Sequence, residues 1–355
     1  MKSSPRVFQE KAYNSHFPRG LRSSVALFRM DKGSEGMYST CLYYKYIDLP
    51  QEVDSLVEEH KLFCEGLNLR GRIRISPEGL NGTLDGKKTA VERYIEWMDT
   101  HSVFSPEGSP PIHWKRGECT DLERLPSLSV KKTKEVVSLD LSEQVDRELR
   151  RVHGGDHLSP AEFHQRLQEN KEDCLLLDVR NAYESAIGRF EVPHVRTVDP
   201  VTRKFSDFRA WTDKEASHLF DGKTVLAYCT GGVRCEKATQ YLRLKCPGVK
   251  DIKQLSGGIC AYMDAFPDGG LFKGKNFVYD PRIAVPYKSE GARQCIGVCL
   301  VCSAAYDDYA AQIRCSQCRM LVLVCDACRD IGAPESLQDS LLCDHCVAHG
   351  RVGLS

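Results

Sequence analysis

The sequence lacks any long apolar run. No stretch approaches about 18 consecutive apolar residues, which argues against a membrane-spanning helix. It also lacks net charge: Lys+Arg and Asp+Glu are 49 each, so bulk electrostatics gives no reason to expect a nucleic-acid partner and only local basic patches can. Met1 to Met30 has no continuous apolar segment of the secretory kind. No internal repeat of solenoid length is present. Residues 1–30 carry six basic residues against one acidic, with several serines. Residues 1–36 are therefore expected to be a flexible leader and the location cytoplasmic, with organellar import as the alternative.

Cysteine is what the chain has in abundance. There are 17, and eight of them fall into four C-x-x-C pairs: Cys299 and Cys302, Cys315 and Cys318, Cys325 and Cys328, Cys343 and Cys346. Clustered pairs without a secretory segment read as metal ligands in a reducing compartment, not as disulfides. Eight thiolates suit two tetrahedral zinc ions, each closed by four sulfurs and therefore structural. The pairs can combine sequentially or interleaved, and spacing does not choose. His345 and His349 are not needed as ligands.

A chain of 355 residues is expected to form two or three domains. C-L-Y-Y-K-Y-I-D-L (41–49) reads as a strand, and 50–66 shows helical spacing. R-G-R-I-R-I-S-P-E-G-L-N-G-T-L-D-G (70–86) reads as strand, turn, strand. A-V-E-R-Y-I-E-W-M (90–98) reads as a second helix, and 127–139 as a further strand. The order β-α-β-β-α-β predicts a ferredoxin-like domain over 37–145. A middle domain over 150–285 follows. In H-L-S-P-A-E-F-H, Ser159 is a helix N-cap, Pro160 the first helical residue and Glu162 its first-turn acid. C-L-L-L-D-V-R (174–180), T-V-L-A-Y-C (224–229) and V-K-D-I-K-Q-L-S-G-G (249–258) are short strands separated by helices. That alternation predicts a parallel sheet covered on both faces, with its chemistry at the carboxyl ends of the strands. Asp178, Cys229 and Gly257 lie at those ends. Residues 290–355 form the cysteine-rich module.

Y-C-T-G-G-V-R-C-E-K-A (228–238) carries the sharpest signal. A cysteine at a strand end, then a glycine turn into a helix, is an anion cradle. Backbone N–H groups of 230–235, the helix N-terminus and Arg234 all favour a thiolate at Cys229. Thr230, Gly231 and Gly232 form the turn. Cys235 is read either as a resolving thiol or as a small residue at the helix start.

These residues resemble the rhodanese family, on L-L-L-D-V-R-N-A-Y-E (175–184), C-T-G-G-V-R (229–234) and Q-L-S-G-G-I (254–259). The resemblance implies a persulfide-bearing Cys229 and an Asp178–Arg180 ion pair supporting the loop. Related phosphatases have C-x5-R; this chain has C-x4-R, a loop better suited to sulfur than to a tetrahedral phosphate. R-I-S-P-E-G-L-N-G-T (74–83) and F-K-G-K-N-F-V-Y-D (272–280), in order with the segments above, make the chain similar to the TrhO family of tRNA uridine hydroxylases and its eukaryotic rhodanese-like relatives. That resemblance covers about residues 40–350. It implies a ferredoxin/acylphosphatase-like domain, an α/β rhodanese domain and a cysteine-rich tail. The implied activity is hydroxylation of the tRNA wobble uridine to 5-hydroxyuridine with molecular oxygen. Arg189 departs from the histidine common in bacterial members.

For such a substrate, Cys229 adding at uracil C6 would leave an enolate-like C5 for oxygen to attack. Arg234 and the loop amides would hold the uracil oxygens. Candidate phosphate contacts are Arg70, Arg72 and Arg74 on one strand face, Lys131, Lys132 and Lys134, and Lys273 and Lys275; Tyr43, Tyr44 or Tyr46 would stack unpaired bases. The same lysines can simply protect a sheet edge. Two alternatives stand beside the hydroxylase. One is a sulfurtransferase moving sulfur from thiosulfate through Cys229. The other is a non-catalytic interaction protein with a RING-like tail.

Overall fold

The computed structural model describes residues 38–50, 52–169, 172–288, 294–331 and 341–348. The expected leader over 1–36 lies outside the described residues. The N-terminal part runs β1 (Tyr38–Tyr46), α1 (Asp54–Gly66), β2 (Arg70–Ser76), β3 (Gly79–Lys87), α2 (Lys88–Thr100), β4 (Lys115–Cys119) and β5 (Leu128–Lys132). Its sheet has the order β4-β1-β3-β2-β5. β1 is antiparallel to β3 and β4, and β3 to β2, which is the split β-α-β arrangement. Alternation along β2 buries Ile73 and Ile75 and leaves Arg72 and Arg74 exposed on the opposite face. Helices α1 and α2 close the buried face through Leu56, Cys64, Val91, Tyr94 and Met98 against Tyr43, Ile73 and Leu84.

The strand expected over 127–139 needs correction. Only Leu128–Lys132 is extended there, and it is an added edge strand parallel to β2. The strand that closes the split β-α-β unit is Lys115–Cys119, whose sequence K-R-G-E-C has no apolar alternation to announce it. Val137 and Leu139 turn away from the first sheet and pack into the core of the second.

The second part runs α3 (Glu143–Leu149), β6 (Asp156–Leu158), α4 (Pro160–Gln168), β7 (Cys174–Asp178), α5 (Ala182–Ser185), β8 (Gly188–Phe190) and β9 (Arg196–Val198). It continues with α6 (Asp207–Phe220), β10 (Thr224–Tyr228), α7 (Val233–Lys245), β11 (Asp251–Leu255) and α8 (Gly258–Ala265). Ser159 caps α4: its Oγ accepts the Glu162 N–H, and the Glu162 carboxylate accepts the Ser159 N–H at 2.8 Å. The sheet β6-β11-β10-β7-β9 is parallel throughout. Successive strand residues feed opposite cores. Leu175, Leu177, Val225 and Ala227 meet Phe208, Ala216, Tyr241 and Leu242 of α6 and α7. Leu176, Leu226 and Tyr228 meet Phe163, Leu167, Ile259 and Tyr262 of α4 and α8. Each fully buried side chain of this size contributes about 1.5–3 kcal/mol.

β12 (Phe272–Phe277) and β13 (Ala284–Pro286) form a small antiparallel sheet with β8. The tail carries the short helices α9 (Asp326–Ile331) and α10 (Asp344–Ala348). It packs on the second part through Leu323 against Ile187 and Phe277. Lys275, 6% exposed, is held by Asp307 at 2.7 Å and Asp308 at 2.5 Å. Among the described residues, no helix is long and apolar enough to cross a membrane.

Candidate active site

The parallel register sets Tyr228, the last residue of β10, beside Asp178, the last of β7. Both chains then leave the sheet at the same edge, and the Val179 N–H donates to the Tyr228 carbonyl at 3.0 Å. Cys229 follows at once and is fully buried. Its carbonyl accepts the Ile259 N–H, and the Thr230 carbonyl accepts the Cys260 N–H, both at 3.0 Å, so the start of α8 braces the loop. Gly232 turns the chain into α7 with φ of 100°, a conformation reserved for glycine. At Gly258, φ is 64° and an added Cβ would lie 2.5 Å from the Cys229 carbonyl oxygen. Glycine is therefore required on both sides of the thiol.

The Gly232 N–H donates to Cys229 Sγ at 3.1 Å. Burial alone would raise this thiol. The Cys235 S–H, the charge of Arg234 and the N–H groups of Cys235 and Gly232 outweigh it and bring the pKa down to about 5. Cys235 goes the other way: burial, then its bond to the Cys229 thiolate, raises it well above the ordinary value. Cys229 is thus a thiolate at neutral pH and Cys235 a thiol that donates to it.

Asp178 and Arg180 form a buried bidentate pair, with Nε to Oδ1 at 2.9 Å and Nη2 to Oδ2 at 2.7 Å. Tyr228 Oη donates to the same carboxylate at 2.7 Å, and Arg180 donates onward to the Gly188 carbonyl at 2.6 Å. The pair ties β7, β8 and β10 together beneath the loop.

Arg234 does not face a substrate in this arrangement. Its guanidinium donates to both oxygens of Glu184, at 2.5 and 2.8 Å, and to Thr230 Oγ1 at 3.1 Å. Thr230 and Tyr279 also donate to Glu184, at 2.9 and 2.8 Å. Glu184 is fully buried; burial raises its carboxyl, and the charge and hydrogen bonds of Arg234 bring it down to about 2. Arg234 therefore acts on Cys229 through its field, while its N–H groups are taken. Glu184 lies within N-A-Y-E, a motif that by itself assigns it no role. The signal was its place three residues after Asn181, a capping box that closes around Arg234.

The N-terminal sheet covers the loop. Tyr44 Oη donates to Glu236 at 3.0 Å, and Tyr46 Oη to the Val233 carbonyl at 3.2 Å. Tyr43 is buried against Tyr94 and Trp114. The three tyrosines expected to stack bases instead build the core and the contact with α7. Lys237 of α7, 1% exposed, is held by Glu78 at 2.9 Å and Glu135 at 2.8 Å. Lys115 donates to the Gly231 carbonyl.

Beside this contact lies a cavity of about 1100 Å³ whose walls include Thr230, Gly231, Arg234 and Cys260. Arg72, Arg74, Arg116, Arg203 and Lys204 line it as well, and Arg70 is half-buried on the same strand. The other basic candidates lie elsewhere: Lys131 and Lys134 are exposed, Lys132 is paired with Glu52 and Asp54, and Lys273 donates to the Gly270 carbonyl. Lys275, pinned by Asp307 and Asp308, is removed from the phosphate-binding set.

The tail resolves the pairing left open by spacing. Cys299, Cys302, Cys325 and Cys328 gather in one group, and Cys315, Cys318, Cys343 and Cys346 in another, each with its sulfurs within 4.8 Å of one another. The arrangement is interleaved, and each group can hold a metal ion. The Cys325 N–H points at Cys299 Sγ at 3.3 Å and the Cys343 N–H at Cys315 Sγ at 3.4 Å. Arg203 links the second group to the cavity by donating to the Cys318 carbonyl at 3.0 Å.

Comparison with known proteins follows the same three-part division. Residues 38–136 match the UPF0176 acylphosphatase like domain, 159–265 the rhodanese-like domain, and 273–347 the family described as rhodanase C-terminal. The chain is 42% identical over 331 residues to Rhodanese-like domain-containing protein 6 of Arabidopsis thaliana, covering 89% of this chain and 54% of that protein. It therefore spans about half the length of that relative. It is 38% identical over 263 residues to the tRNA uridine(34) hydroxylase of Aster yellows witches'-broom phytoplasma, covering 72% of this chain and 77% of that one. With the tRNA uridine(34) hydroxylase of Rhodococcus erythropolis it shares 34% over 302 residues, 84% and 98% of the two chains.

Proposed function

The chain belongs to the family of the tRNA uridine(34) hydroxylases, and on that premise we propose that it hydroxylates the wobble uridine of tRNA through Cys229. The observation that carries the reading is a thiolate at Cys229 set beside a cavity whose walls are rich in arginine. Sγ adds to uracil C6 and the electron pair moves to C5 and the C4 carbonyl oxygen. The enolate carbon takes up molecular oxygen as a hydroperoxide. Two thiol equivalents reduce the O–O bond, giving the C5 hydroxyl, one water and a disulfide. Loss of the C5 proton and of Cys229 restores the double bond; Cys235 is the proposed source of one thiol, and a small-molecule thiol of the other. Arg72, Arg74 and Arg116 are the proposed phosphate contacts. Both four-cysteine groups are proposed to hold zinc, since closed all-sulfur donor sets suit a structural tetrahedral ion. The zinc would fix the tail and take no part in the reaction.

A second reading rests on the loop itself. Amides directed at Sγ also suit a persulfide, so a sulfurtransferase fed by thiosulfate uses the same residue. One experiment separates the two: nucleoside mass spectrometry of uridine-rich tRNA incubated with the protein under labelled oxygen gas, wild type beside Cys229→Ala. A gain of one labelled oxygen that the variant lacks establishes the hydroxylase. No gain, with sulfur added to Cys229 by thiosulfate, transfers the assignment to sulfur transfer.

A further inference from the structure

Arg234 leaves a gap in the chemistry. The attack by Cys229 puts negative charge on an oxygen of its target, and the one arginine of the loop is bound bidentately by Glu184. The first sheet brings another cation to the same place. Lys115 opens β4, paired with Leu42 of β1, and its stem reaches over the mouth of the loop. Its Nζ lies 3.1 Å from where a Cβ on Gly231 would stand, and its Cε 3.5 Å from the equivalent point on Gly257. The two glycines leave the space that the lysine fills. The head donates to the Gly231 carbonyl and stands 5.7 Å from the centre of the Tyr44 ring. Lys115 lines the cavity beside Gly231 and Cys260. A single backbone carbonyl occupies only one of its three N–H donors.

We propose that Lys115 is the cation that holds an anionic oxygen of the group attacked by Cys229, a role in which it replaces Arg234. This rests on Cys229 as the nucleophile. The oxygen is the enolate oxygen of a uracil adduct or a sulfonate oxygen of thiosulfate; both are anionic and both belong to the molecule that Sγ attacks. The ammonium leaves the Gly231 carbonyl and donates to that oxygen. No bond is made or broken at Lys115.

The test uses the full chain and two alkylating probes of nearly equal size, anionic iodoacetate and neutral iodoacetamide. Rates at Cys229 are read by peptide mass spectrometry for wild type, Lys115→Met and Lys115→Arg. The iodoacetate-to-iodoacetamide ratio falls about tenfold in the methionine variant and survives in the arginine variant, because both reagents need the same thiolate and differ only in charge. An unchanged ratio in Lys115→Met overturns the proposal, as does equal acceleration of both reagents, which would make the lysine a mere plug. The ratio is internal, so a less stable variant does not mimic the effect. Steady-state rates assign the source. A kcat on anticodon stem-loop RNA reduced about a hundredfold at constant KM identifies the enolate oxygen, as for other single oxyanion donors. A raised KM for thiosulfate identifies the sulfonate. Neither change overturns the proposal. Neither alkylating reagent depends on tRNA chemistry, so a failure of the hydroxylase reading leaves the charge result standing.

Discussion

Cys229 and Cys235 lie six positions apart in one helix-loop segment and hold opposite protonation states, because burial and the S–H bond that Cys235 donates to the Cys229 thiolate keep the second thiol protonated. The depressed Cys229 gives a sign: its thiolate fraction rises with pH through about 5 and is full at neutrality. Alkylation of Cys229 by iodoacetamide is expected to show that midpoint. Cys235→Ala removes the S–H donor and moves the midpoint upward, whereas Cys235→Ser keeps an O–H donor and holds it low. Equal midpoints in all three proteins would remove Cys235 from the activation of Cys229. Glu184 provides a second test. Glu184→Gln leaves the Arg234 charge buried without its counter-charge, a loss of about 3–5 kcal/mol at pH 7. The folded carboxyl sits near 2 against an ordinary value of 4.5. Its stabilising contribution is therefore complete above 4.5 and is lost as pH falls toward 2. Urea midpoints of wild type and variant should converge over that interval; a gap that stays constant on acidification would contradict the ion-pair account. At this scale the thiolate proposed as nucleophile was legible, since a thiol, two glycines and an arginine stand together in sequence. The partner of that arginine was not, because 50 residues separate Glu184 from Arg234 and only the closing of the sheet brings them together.

Glycine positions decide the geometry of the elements that meet at the thiol. Gly258 and Gly222 both have positive φ, 64° and 66°. At Gly222 nothing lies within 4 Å of an added Cβ, while at Gly258 the Cys229 carbonyl oxygen and the Gly231 nitrogen lie at 2.5 and 2.7 Å. Gly222→Ala should therefore cost only the backbone strain of about 1–2 kcal/mol and leave Cys229 unaltered. Gly258→Ala adds a backbone clash that displaces the loop, so the Cys229 alkylation midpoint rises and the melting temperature falls below that of Gly222→Ala. If the two variants match in both measurements, the start of α8 does not brace the loop. The parallel strands were legible from short apolar runs such as C-L-L-L-D, whose residues divide between two buried cores. β4 was not, because K-R-G-E-C, an edge strand of three charged residues, one glycine and one cysteine, has no apolar alternation to read. The cost of missing it is large, since β4 carries Lys115.

At the scale of the whole molecule, three parts converge on one loop, each through charged or polar contacts of its own. The first sheet is fixed by Lys237 to Glu78 and Glu135, and the tail by Lys275 to Asp307 and by Tyr309 Oη donating to the Tyr183 carbonyl at 2.8 Å. Tyr183 in turn shares a hydrogen bond with Tyr279, which donates to Glu184, so the cysteine module is linked to Arg234 through Tyr183, Tyr279 and Glu184. Spacing pointed to eight cysteines as metal ligands, yet four C-x-x-C pairs of equal length contain no information on which pair meets which. The chain decides it by folding two knuckles, marked by the bridges Val298 to Ala305 and Arg314 to Leu321, each of which faces a later helix. Paired substitutions make this falsifiable. Cys299→Ser with Cys328→Ser strikes one interleaved group and should leave one zinc per chain by plasma mass spectrometry. Cys299→Ser with Cys318→Ser strikes both groups and should leave none. Sequential pairing requires the reverse result for the two doubles. Because closed four-sulfur sites contribute folding free energy directly, the second double should also release the tail to proteolysis, and the loss of its hold on Tyr183 should lower the stability of the Glu184–Arg234 pair.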